Sequence, residues 1–488
     1  MNLKQAFETP FIRPQRKISN YYCYVVTAIC AIVFLATVLI MLIATTVHLD
    51  FNFWGLFRIN AFTLLIWGVV SFFSTLVSIY SSTYLTGFRY RTRFAALCLG
   101  FTLSVMVLVA ADHVVALLIS WFLMGFFMAR LIGIESDWPE ACAASEYAQK
   151  FFILSGVMLS AGVLLLAFST EKFTQAKIIP ALSSLPKPTL LVSSLFIIFS
   201  CLIQSAIYPF HRWLLSAMTA PTPASALMHA GFVNGSGIIL TLFASLMVHA
   251  DVLTLLFAVG GLTAIIAQFT KLLQVSVKQK LACSTIAQMG FMIMQCGLGF
   301  FNAAVTHLIL HGFYKAYLFL SSGENIKASV PEKPMPILIR PLQALVVIMS
   351  GIIGAGFFAW LTGKGKVLDS GIFLILVVAI TVGQATYNIV KQSILTFGQK
   401  LVLQLLVFPA GIGSYALIYN GVSYLMKDFA FVEVPSPLSL VQILFGVVFL
   451  LGFFIMKLGL YKNFPWLYVK LLNISQPYRH TILNYKNK

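Results

Sequence analysis

Charge is scarce in this sequence. Only 9% of its 488 residues are Asp, Glu, Lys or Arg, and 60% are hydrophobic. In soluble globular proteins about a quarter of the residues are charged. Apolar runs of about 20 residues, long enough to cross a bilayer, recur along nearly the whole chain. This composition excludes an ordinary soluble domain and predicts an all-α polytopic membrane protein with one membrane domain.

Carboxylates avoid the apolar runs. The fourteen Asp and Glu residues fall almost entirely between the runs, and only Asp112 comes near one. A relay of carboxylates through the centre of the membrane is therefore excluded. The formal net charge of +18 would suit a nucleic-acid partner. The basic residues sit in short loops and tails, however, which indicates membrane topology and no nucleic acid.

The cysteine patterns typical of metal sites and disulfide frameworks are also missing. The seven cysteines lie mostly within or beside apolar runs, with no CxxC spacing and no histidine cluster nearby. We therefore expect buried core cysteines, no metal site and no cofactor bound by this chain. The glycine run at 351–356 lies inside an apolar run and does not follow a strand, so it is no dinucleotide-binding motif.

Hydropathy predicts about fourteen membrane spans in a membrane domain at 22–460, between a basic N-terminal arm, 1–21, and a basic tail, 461–488. The spans are 22–47, 60–84, 94–111, 114–134, 151–169, 189–218 (broken), 222–248, 251–274, 281–299, 302–321, 341–361 (broken), 371–395, 401–424 and 436–460. Of the 32 Lys and Arg residues, 24 fall on the side of the N-terminus, 7 fall on the other side, and Lys315 lies inside a span. Positive charge accumulates on the cytoplasmic side, so both termini are predicted to be cytoplasmic.

The segment 204–240 mixes prolines, histidines and an arginine into an apolar region. Irregular backbone at membrane depth is tolerated only where it is packed in protein or lines a wet cavity. A loop between two spans accounts for positions 209–223, but it does not explain Gln204 and His229 inside the flanking helices. We interpret these two residues, together with Asn234, as parts of an intramembrane polar path.

His307, His311 and Lys315 are spaced four residues apart. On a helix this spacing puts successive side chains about 40° apart, on one stripe. A charged lysine at mid-membrane costs about 2.5–3.5 kcal/mol or more, so such a stripe is unusual. Histidine exchanges protons near neutral pH, and a lysine removed from water can do so too. The stripe predicts a proton relay; the alternative is a structural role, in which these polar side chains form hydrogen bonds that hold neighbouring helices together.

Lys278 opens the polar span at 281–299 and leaves two interpretations open. With Lys280 it can anchor the span at the cytoplasmic face, or it can belong to the proton path.

Three pieces of the sequence resemble the antiporter-like subunits of respiratory complex I and the large subunits of Mrp cation/proton antiporters: PFHRWLLSAMTAPTPASALMHA, VKQKLACSTIAQMGFM and HLILHGFYKAYLFLSSG. The resemblance extends over about residues 55–395. It implies two inverted five-helix repeats, about 94–248 and 251–395, each containing a broken helix, followed by two C-terminal helices at 401–460. The helix breaks are expected at Pro209, Pro221, Pro223, Gly354 and Gly356.

The resemblance also assigns site residues. His229 matches the family's histidine or lysine after the PTP turn, Lys278 matches the lysine that opens the following polar helix, and the stripe at 307–315 matches an HxxxHxxxK row. Three family charges are missing, which speaks against a complex I subunit or a stand-alone antiporter. The family's glutamate and two lysines are replaced here, in order, by Phe122, Gln204 and Trp360.

The sequence HAGFVNGSG after the PTP turn resembles a different branch, the DabB membrane subunits of two-component DAB inorganic-carbon pumps. The resemblance implies a bacterial inner-membrane protein whose partner is DabA, a soluble zinc protein related to β-carbonic anhydrases. It also implies that protons or cations flowing through the membrane subunit drive CO2 hydration on the partner, so that this chain is not itself an enzyme.

Three hypotheses follow. The first is the proton-conducting subunit of an inorganic-carbon pump. The second is an antiporter-like subunit of a complex I or Mrp-type assembly, in which the three lost charges should have been retained. The third is a non-conducting membrane anchor for a soluble enzyme, for which the stripe at 307–315 should be dispensable.

The charge distribution generates a topological prediction. Reporter domains fused after Lys17 and after Lys488 should both be active in the cytoplasm, because most basic residues lie on that side. Paired reporters, one active only inside the cell and one only outside, provide the measurement. Two fusions that both report an external position would refute the predicted orientation.

Overall fold

The computed structural model describes residues 15–44, 50–322, 341–390, 396–427, 429, 431–458 and 463–481. These residues are predominantly helical, which confirms the predicted all-α class, although the antiparallel hairpin of β1 (Phe51–Phe53) and β2 (Phe57–Ile59) was not expected. The predicted N-terminal arm at 1–21 lies for the most part outside the described residues, as does the end of the predicted tail.

Helices lie in each region where hydropathy predicts a span. The long helices are α1 (Gln15–Ala44), α2 (Ala61–Tyr84), α3 (Arg91–Ala110), α4 (Val114–Ile132), α5 (Pro139–Thr170), α7 (Lys187–Gln204), α12 (Leu253–Leu272), α13 (Val277–Gly297), α14 (Phe301–Leu320), α15 (Pro341–Thr362), α16 (Gly371–Val390), α17 (Phe397–Leu425) and α18 (Leu440–Leu458). The short helices are α6 (Gln175–Ala181), α8 (Arg212–Ser216), α9 (Thr222–Ala230), α10 (Gly235–Leu242), α11 (Ala244–His249) and α19 (Pro465–Ile474), with 3-10 turns at Leu182–Ser184, Ala217–Thr219, Phe232–Asn234 and Arg479–Thr481.

Ten helical segments of the described residues are long and apolar enough to cross a membrane. Helices α13 and α14 are not among them, although they have 21 and 20 residues, because they carry many polar side chains. The count of fourteen spans and the division into inverted repeats stay predictions.

The predicted break near Pro209 is present. Helix α7 ends and α8 begins on either side of it, and Ala206 adopts left-handed backbone with a φ of 55°. The indole Nε1 of Trp213 donates a 2.9 Å hydrogen bond to the Ile203 carbonyl at the end of α7, which also accepts a 3.1 Å bond from Ala206 N. The irregular backbone is thus satisfied inside the protein, as a bilayer requires.

The span predicted as continuous at 222–248 is interrupted, and this correction concerns the centre of the molecule. Pro221 and Pro223 stand at the start of α9, where a missing N–H breaks no helical bond. Helix α9 has only nine residues, and the 3-10 turn Phe232–Asn234 joins it to α10. The flanking Gly231 and Gly235 favour this interruption, because each glycine weakens a helix by about 1 kcal/mol relative to alanine.

The break expected at Gly354 and Gly356 is wrong, because α15 runs through both residues without interruption. A Cβ added to Gly354 would approach the Val382 side chain to 2.9 Å, and one added to Gly351 would approach the Ala379 carbonyl oxygen to 2.9 Å. Small residues let transmembrane helices approach closely. The glycine run therefore packs α15 against α16 and does not break the helix.

Helices α12 and α13 approach each other through glycines. A Cβ on Gly260 would lie 2.5 Å from the Gly290 carbonyl oxygen, and one on Gly297 would lie 2.2 Å from the Phe257 backbone nitrogen. Backbone therefore packs on backbone along this contact, with no space for side chains. The contact fixes the position of α13, whose opposite neighbour is α14.

The α12–α13 contact predicts a sharp cost for one added methyl group. Gly260→Ala should destabilise the folded protein by about 1–3 kcal/mol, because the new Cβ overlaps backbone atoms that cannot move aside. The measurement is the thermal unfolding midpoint of the purified protein in detergent.

The matched control is Gly421→Ala in α17, where an added Cβ meets no atom of the described residues within 4 Å. Both substitutions give the same gain in helix propensity, so only the close contact separates them. Equal unfolding midpoints for the two variants would contradict the packing argument.

Candidate functional site

Lys315 lies well inside α14, and its side chain is fully buried. Its Nζ donates a 3.0 Å hydrogen bond to the Leu281 carbonyl oxygen on α13. The only other buried charged side chains among the described residues are those of Arg91 and Asp112, which lie at helix ends. An ammonium group removed from water without a carboxylate beside it is expensive, and such groups in membrane proteins mark ion pathways.

His307 and His311 continue from Lys315 along the same face of α14, as the sequence predicts. Their ring planes are inclined by 15°, and the ring centroids lie 6.0 Å apart. His311 is buried, whereas His307 is half-buried and contacts Phe291 of α13 with a centroid distance of 5.2 Å. The two imidazoles therefore lie close enough for one intervening water molecule to link them.

His229 joins this row from a different helix. It lies on α9, is fully buried, and stacks on Phe319 of α14 with centroids 4.5 Å apart and an interplanar angle of 13°. His311 lies within electrostatic range of Lys315, His307 and His229. The structure thus places His229 of α9 beside the predicted stripe on α14, and we call these four residues the buried row: His229, His307, His311 and Lys315.

Most ring nitrogens of the buried row have no hydrogen-bond partner among the described protein groups. Both nitrogens of His229 and of His311 are buried and unpaired, as is Nε2 of His307. Buried polar atoms are nearly always hydrogen-bonded, and ordered water is the usual partner where protein groups do not supply one. The arrangement therefore suits a hydrated path for protons.

Asn234 and Gln204 border the buried row from the broken helices. Asn234 Nδ2 donates to Ala230 O at 2.8 Å and to Leu308 O of α14 at 3.3 Å, so the 3-10 turn is tied directly to α14. Gln204 is buried at the end of α7, and its Nε2 is unpaired. The hydroxyl of the adjacent Ser205 donates to the Val233 carbonyl at 2.7 Å, which places Gln204 beside the same turn.

Lys278 holds the broken segment. Its Nζ donates a 2.8 Å hydrogen bond to the Ala220 carbonyl oxygen and a longer one, 3.4 Å, to that of Met218. These carbonyls stand between α8 and α9, where no helical N–H follows to bind them. The contacts therefore support positioning of α9, and with it His229, in addition to anchoring at the membrane surface.

The three positions at which the family resemblance leads us to expect a charge are not equivalent. Gln204 is buried next to the turn described above, but Phe122 and Trp360 are exposed on the surface of the chain, Trp360 to 76%. A Cβ on Gly156 would collide with the Phe122 ring, so this ring lies against α5. Neither aromatic residue contributes to the buried row.

Asp112, the one carboxylate predicted near a span, has structural partners. It accepts a 2.9 Å hydrogen bond from the Ala176 backbone nitrogen and a 3.4 Å bond from Asn52 Nδ2. Within the residues that the structure describes, no three His, Cys, Asp or Glu side chains are grouped in a way that could hold a metal ion.

One polar cluster was missed by sequence reasoning. Asn302, in the first turn of α14, donates hydrogen bonds to the side chains of Tyr419, Ser423 and Glu433. Glu433 is also paired with Lys364. The sequence held no local signal for this cluster, because its members come from four separate segments and Glu433 reads as an ordinary loop residue.

A family model described as "NADH:quinone oxidoreductase/Mrp antiporter, TM" matches residues 111–390, which is more than half of the chain. The chain belongs to this family. It is therefore an integral membrane protein of the antiporter-like type. The matched region contains the buried row, Lys278 and the interrupted spans at 189–218 and 222–248.

Curated relatives of the antiporter-like chain carry two kinds of name. The probable inorganic carbon transporter subunit DabB1 of Halothiobacillus neapolitanus is 34% identical over 358 residues, 64% of this chain and 63% of that protein. The DabB of Bacillus anthracis is 32% identical over 67% of this chain and 63% of that protein. NADH-ubiquinone oxidoreductase chain 5 of Dictyostelium citrinum is 30% identical over 76% and 61%. The chain spans about three fifths of the length of these curated relatives.

Two solved structures share the fold. The Mrp complex from Dietzia sp. DQ12-45-1b superposes with a TM-score of 0.55 at 18% identity, over 96% of this chain and 52% of the matched chain. The membrane-bound sulfane sulfur reductase, an archaeal respiratory membrane complex, gives the same TM-score and identity over 96% and 97%. These similarities show that the antiporter-like fold extends over nearly all of the chain.

The contacts of Lys278 generate a stability prediction. Lys278→Met should lower the thermal unfolding midpoint, at a cost of up to about 2 kcal/mol. The Met218 carbonyl loses the bond from Lys278, and the Ala220 carbonyl keeps only the longer 3.4 Å bond from Ser225 Oγ. Lys280→Met is the matched control, since Lys280 is exposed on the same helix turn. An unchanged unfolding midpoint for Lys278→Met would show that Lys278 does not stabilise the broken segment and serves only to anchor the span at the membrane face.

Proposed function

We propose that this chain is the membrane subunit of an energy-coupled inorganic-carbon uptake pump, and that its buried row conducts the protons or cations that drive the pump. Hydration of CO2 to bicarbonate takes place on a soluble zinc partner of the DabA type, so this chain binds no cofactor and is not an enzyme. The assembly lies in a bacterial inner membrane with both termini of this chain in the cytoplasm.

The assignment to inorganic carbon draws on the relatives and on one local sequence. The DabB subunits of Halothiobacillus neapolitanus and Bacillus anthracis are named as probable inorganic carbon transporter subunits. The segment HAGFVNGSG, which resembles that branch, forms the end of α9, the 3-10 turn and the start of α10. It therefore lies at the interruption that brings His229 against α14.

The observation that carries the conducting role is the burial of Lys315 beside three histidines, with no carboxylate next to it in the part of the chain that the structure describes. A group that only joined helices would be paired and satisfied, because an unpaired polar atom in the interior costs about 1–3 kcal/mol. Here five ring nitrogens of the row have no protein partner in the described residues. Histidine and a desolvated lysine are the side chains that can gain and lose protons without a carboxylate.

In the proposed mechanism, protons pass along the buried row through bound water. Lys315 Nζ stands at one end of the row, held by the Leu281 carbonyl. His311 lies one helical turn from His307 on α14 and within electrostatic range of Lys315 and His229, so in this mechanism it passes protons between them. The energy released by proton flow makes hydration on the partner proceed in one direction.

A second candidate is an antiporter-like subunit of a complex I or Mrp-type assembly. The fold shared with the Mrp complex favours it. The replacement of three family charges by Phe122, Gln204 and Trp360 weighs against it, because charge switching at those positions is what the family resemblance implies for a pump. The third candidate is a non-conducting anchor, and the Lys315→Met experiment described next distinguishes it from the conducting subunit.

Lys315→Met tests the conducting role. Methionine keeps the length and apolar packing of the side chain but cannot carry a proton, so uptake of labelled inorganic carbon should fall tenfold or more, as is typical on removal of a proton-transfer group. Lys315→Arg should fail as well, because arginine stays protonated. Uptake is measured in cells that express the chain with its partner, at equal membrane levels of each variant.

Lys150→Met is the control, since it removes an exposed lysine outside the buried row. If Lys315→Met assembles in the membrane and takes up carbon at the normal rate, the relay is refuted. The anchoring role would then be the better description.

A further inference from the structure

A second set of polar residues lies at the opposite end of α14 from Lys315. Asn302 Nδ2 donates to Glu433 Oε2 and Ser423 Oγ at 2.9 Å each, and to the Tyr419 hydroxyl at 3.1 Å. The Tyr419 hydroxyl in turn donates to Glu433 Oε2 at 3.2 Å. We call this the Glu433 cluster: Asn302, Lys364, Tyr419, Ser423 and Glu433.

The Glu433 cluster has one exposed member and a buried interior. The Glu433 side chain is 38% exposed, whereas that of Lys364 is only 10% exposed. Lys364 pairs with the other carboxylate oxygen of Glu433, and its Nζ lies 4.4 Å from the centroid of the Phe300 ring. Asn302 and Tyr419 are buried behind the carboxylate. The carboxylate thus stands between bulk solvent and buried hydrogen-bonding groups.

Backbone pairing holds Glu433 in this position. Gly299 O accepts a 2.8 Å hydrogen bond from Val434 N, and Phe301 N donates to Val432 O at 3.0 Å. Gly299 has a φ of +83°, and a Cβ there would lie 2.0 Å from the Val434 carbonyl oxygen. The segment that carries Glu433 is therefore bonded along the turn between α13 and α14, and its place is set by the backbone.

Polar side chains continue from the cluster toward the buried row. Tyr415 lies one turn from Tyr419 on α17, with ring centroids 6.4 Å apart, and Gln295 of α13 is close enough to interact with its hydroxyl. Gln295 is buried, and its Oε1 has no partner among the described groups. Gln295 also lies one helical turn from Phe291, the residue that His307 contacts.

Distances along α14 are compatible with a continuous path. Asn302 and Lys315 are separated by thirteen residues, or about 20 Å of helix, whereas Asn302 and His307 are separated by only about 7–8 Å. An unpaired, buried amide oxygen in that interval is the kind of group that ordered water satisfies.

We propose that Glu433, paired with Lys364, takes up and releases protons at the end of α14 opposite Lys315, and that protons pass between it and His307. This inference rests on the proposed conducting role of the buried row. A proton from bulk water binds a carboxylate oxygen of Glu433 and leaves through the Tyr419 hydroxyl or water. No bond other than O–H and N–H is formed or broken, and no further reactant is needed.

The charges at the cluster give the inference a pH signature. Burial alone would raise the pKa of the Glu433 carboxyl, but the hydrogen bond and charge of Lys364, with hydrogen bonds from Asn302 and Tyr419, outweigh this and lower the pKa. Lys364 and Tyr419 are the titratable groups of the described residues that act on Glu433. Removing the charge of Lys364 should therefore raise the pKa of Glu433 and move the acidic limb of proton flux to higher pH.

The experiment measures proton flux in lipid vesicles containing the full-length chain and any subunit that purifies with it, using an enclosed pH-sensitive dye and an external pH range of about 4 to 8. Glu433→Gln should lower flux about tenfold or more and remove the acidic limb. Glu433→Asp should retain flux, because it keeps a titratable group. Lys364→Met should shift the acidic limb upward.

The matched control is Glu171→Gln, which removes an exposed carboxylate outside the cluster and should change neither flux nor its pH profile. Equal loss of flux in Glu433→Asp and Glu433→Gln would overturn the inference, since geometry and not titration would then matter. If Lys315→Met stops flux while Glu433→Gln leaves flux and pH profile unchanged, the role of Glu433 is refuted and the buried row stands. If Lys315→Met leaves proton flux intact, the conducting role of the buried row and the role of Glu433 are both refuted.

Discussion

The structure depends on how backbone carbonyls are satisfied where helices break inside the membrane. A bilayer core offers no water to an unpaired backbone group, so each break must be closed by the protein itself. Trp213 binds the carbonyl of Ile203 at the end of α7, and Lys278 binds that of Ala220 before α9. These bonds allow a short, polar helix to enter the interior, and that helix brings His229 against α14. The buried row exists because the breaks are closed by side chains from outside it.

Helix α13 packs on two different helices: its contact with α12 is tight and apolar, whereas its contact with α14 includes polar groups. On the α12 side, Gly260 and Gly290 place backbone against backbone and leave no space for water. On the α14 side, the Leu281 carbonyl accepts the bond from Lys315, and Gln295 is buried with an unpaired amide oxygen. Helix α13 is thus packed tightly on one side and offers polar groups to the proposed proton path on the other.

The sequence predicted those features that follow from local spacing. The four-residue interval of His307, His311 and Lys315 defines one face of any helix, and in the structure His311 and Lys315 on that face are buried and His307 is half-buried. Proline weakens a helix because it lacks an N–H donor. The helix ends before Pro209, whereas α17 continues through Pro409. Glycine is different: the run at 351–356 packs one helix against another, whereas the glycines near Asn234 accompany an interruption. Which of these two roles a glycine takes depends on the helix packed against it. The contact between Asn302 and Glu433 likewise depends on which segments lie side by side in the fold, and local sequence does not show this.

No carboxylate among the described residues lies within the buried row, so a second excess proton on the row is disfavoured by the first. Two unit charges at the 6.0 Å separation of His307 and His311 repel each other by about 3 kcal/mol at an effective dielectric constant of about 20. A proton that reaches Lys315 therefore favours the neutral form of His311 and pushes the next proton toward the far end of the row. The charges that the family resemblance implies at the positions of Phe122, Gln204 and Trp360 would balance such steps from within the membrane. Here the anionic partner lies at the end of α14, in Glu433, so that charge is neutralised where the proton meets solvent and not at the centre of the path.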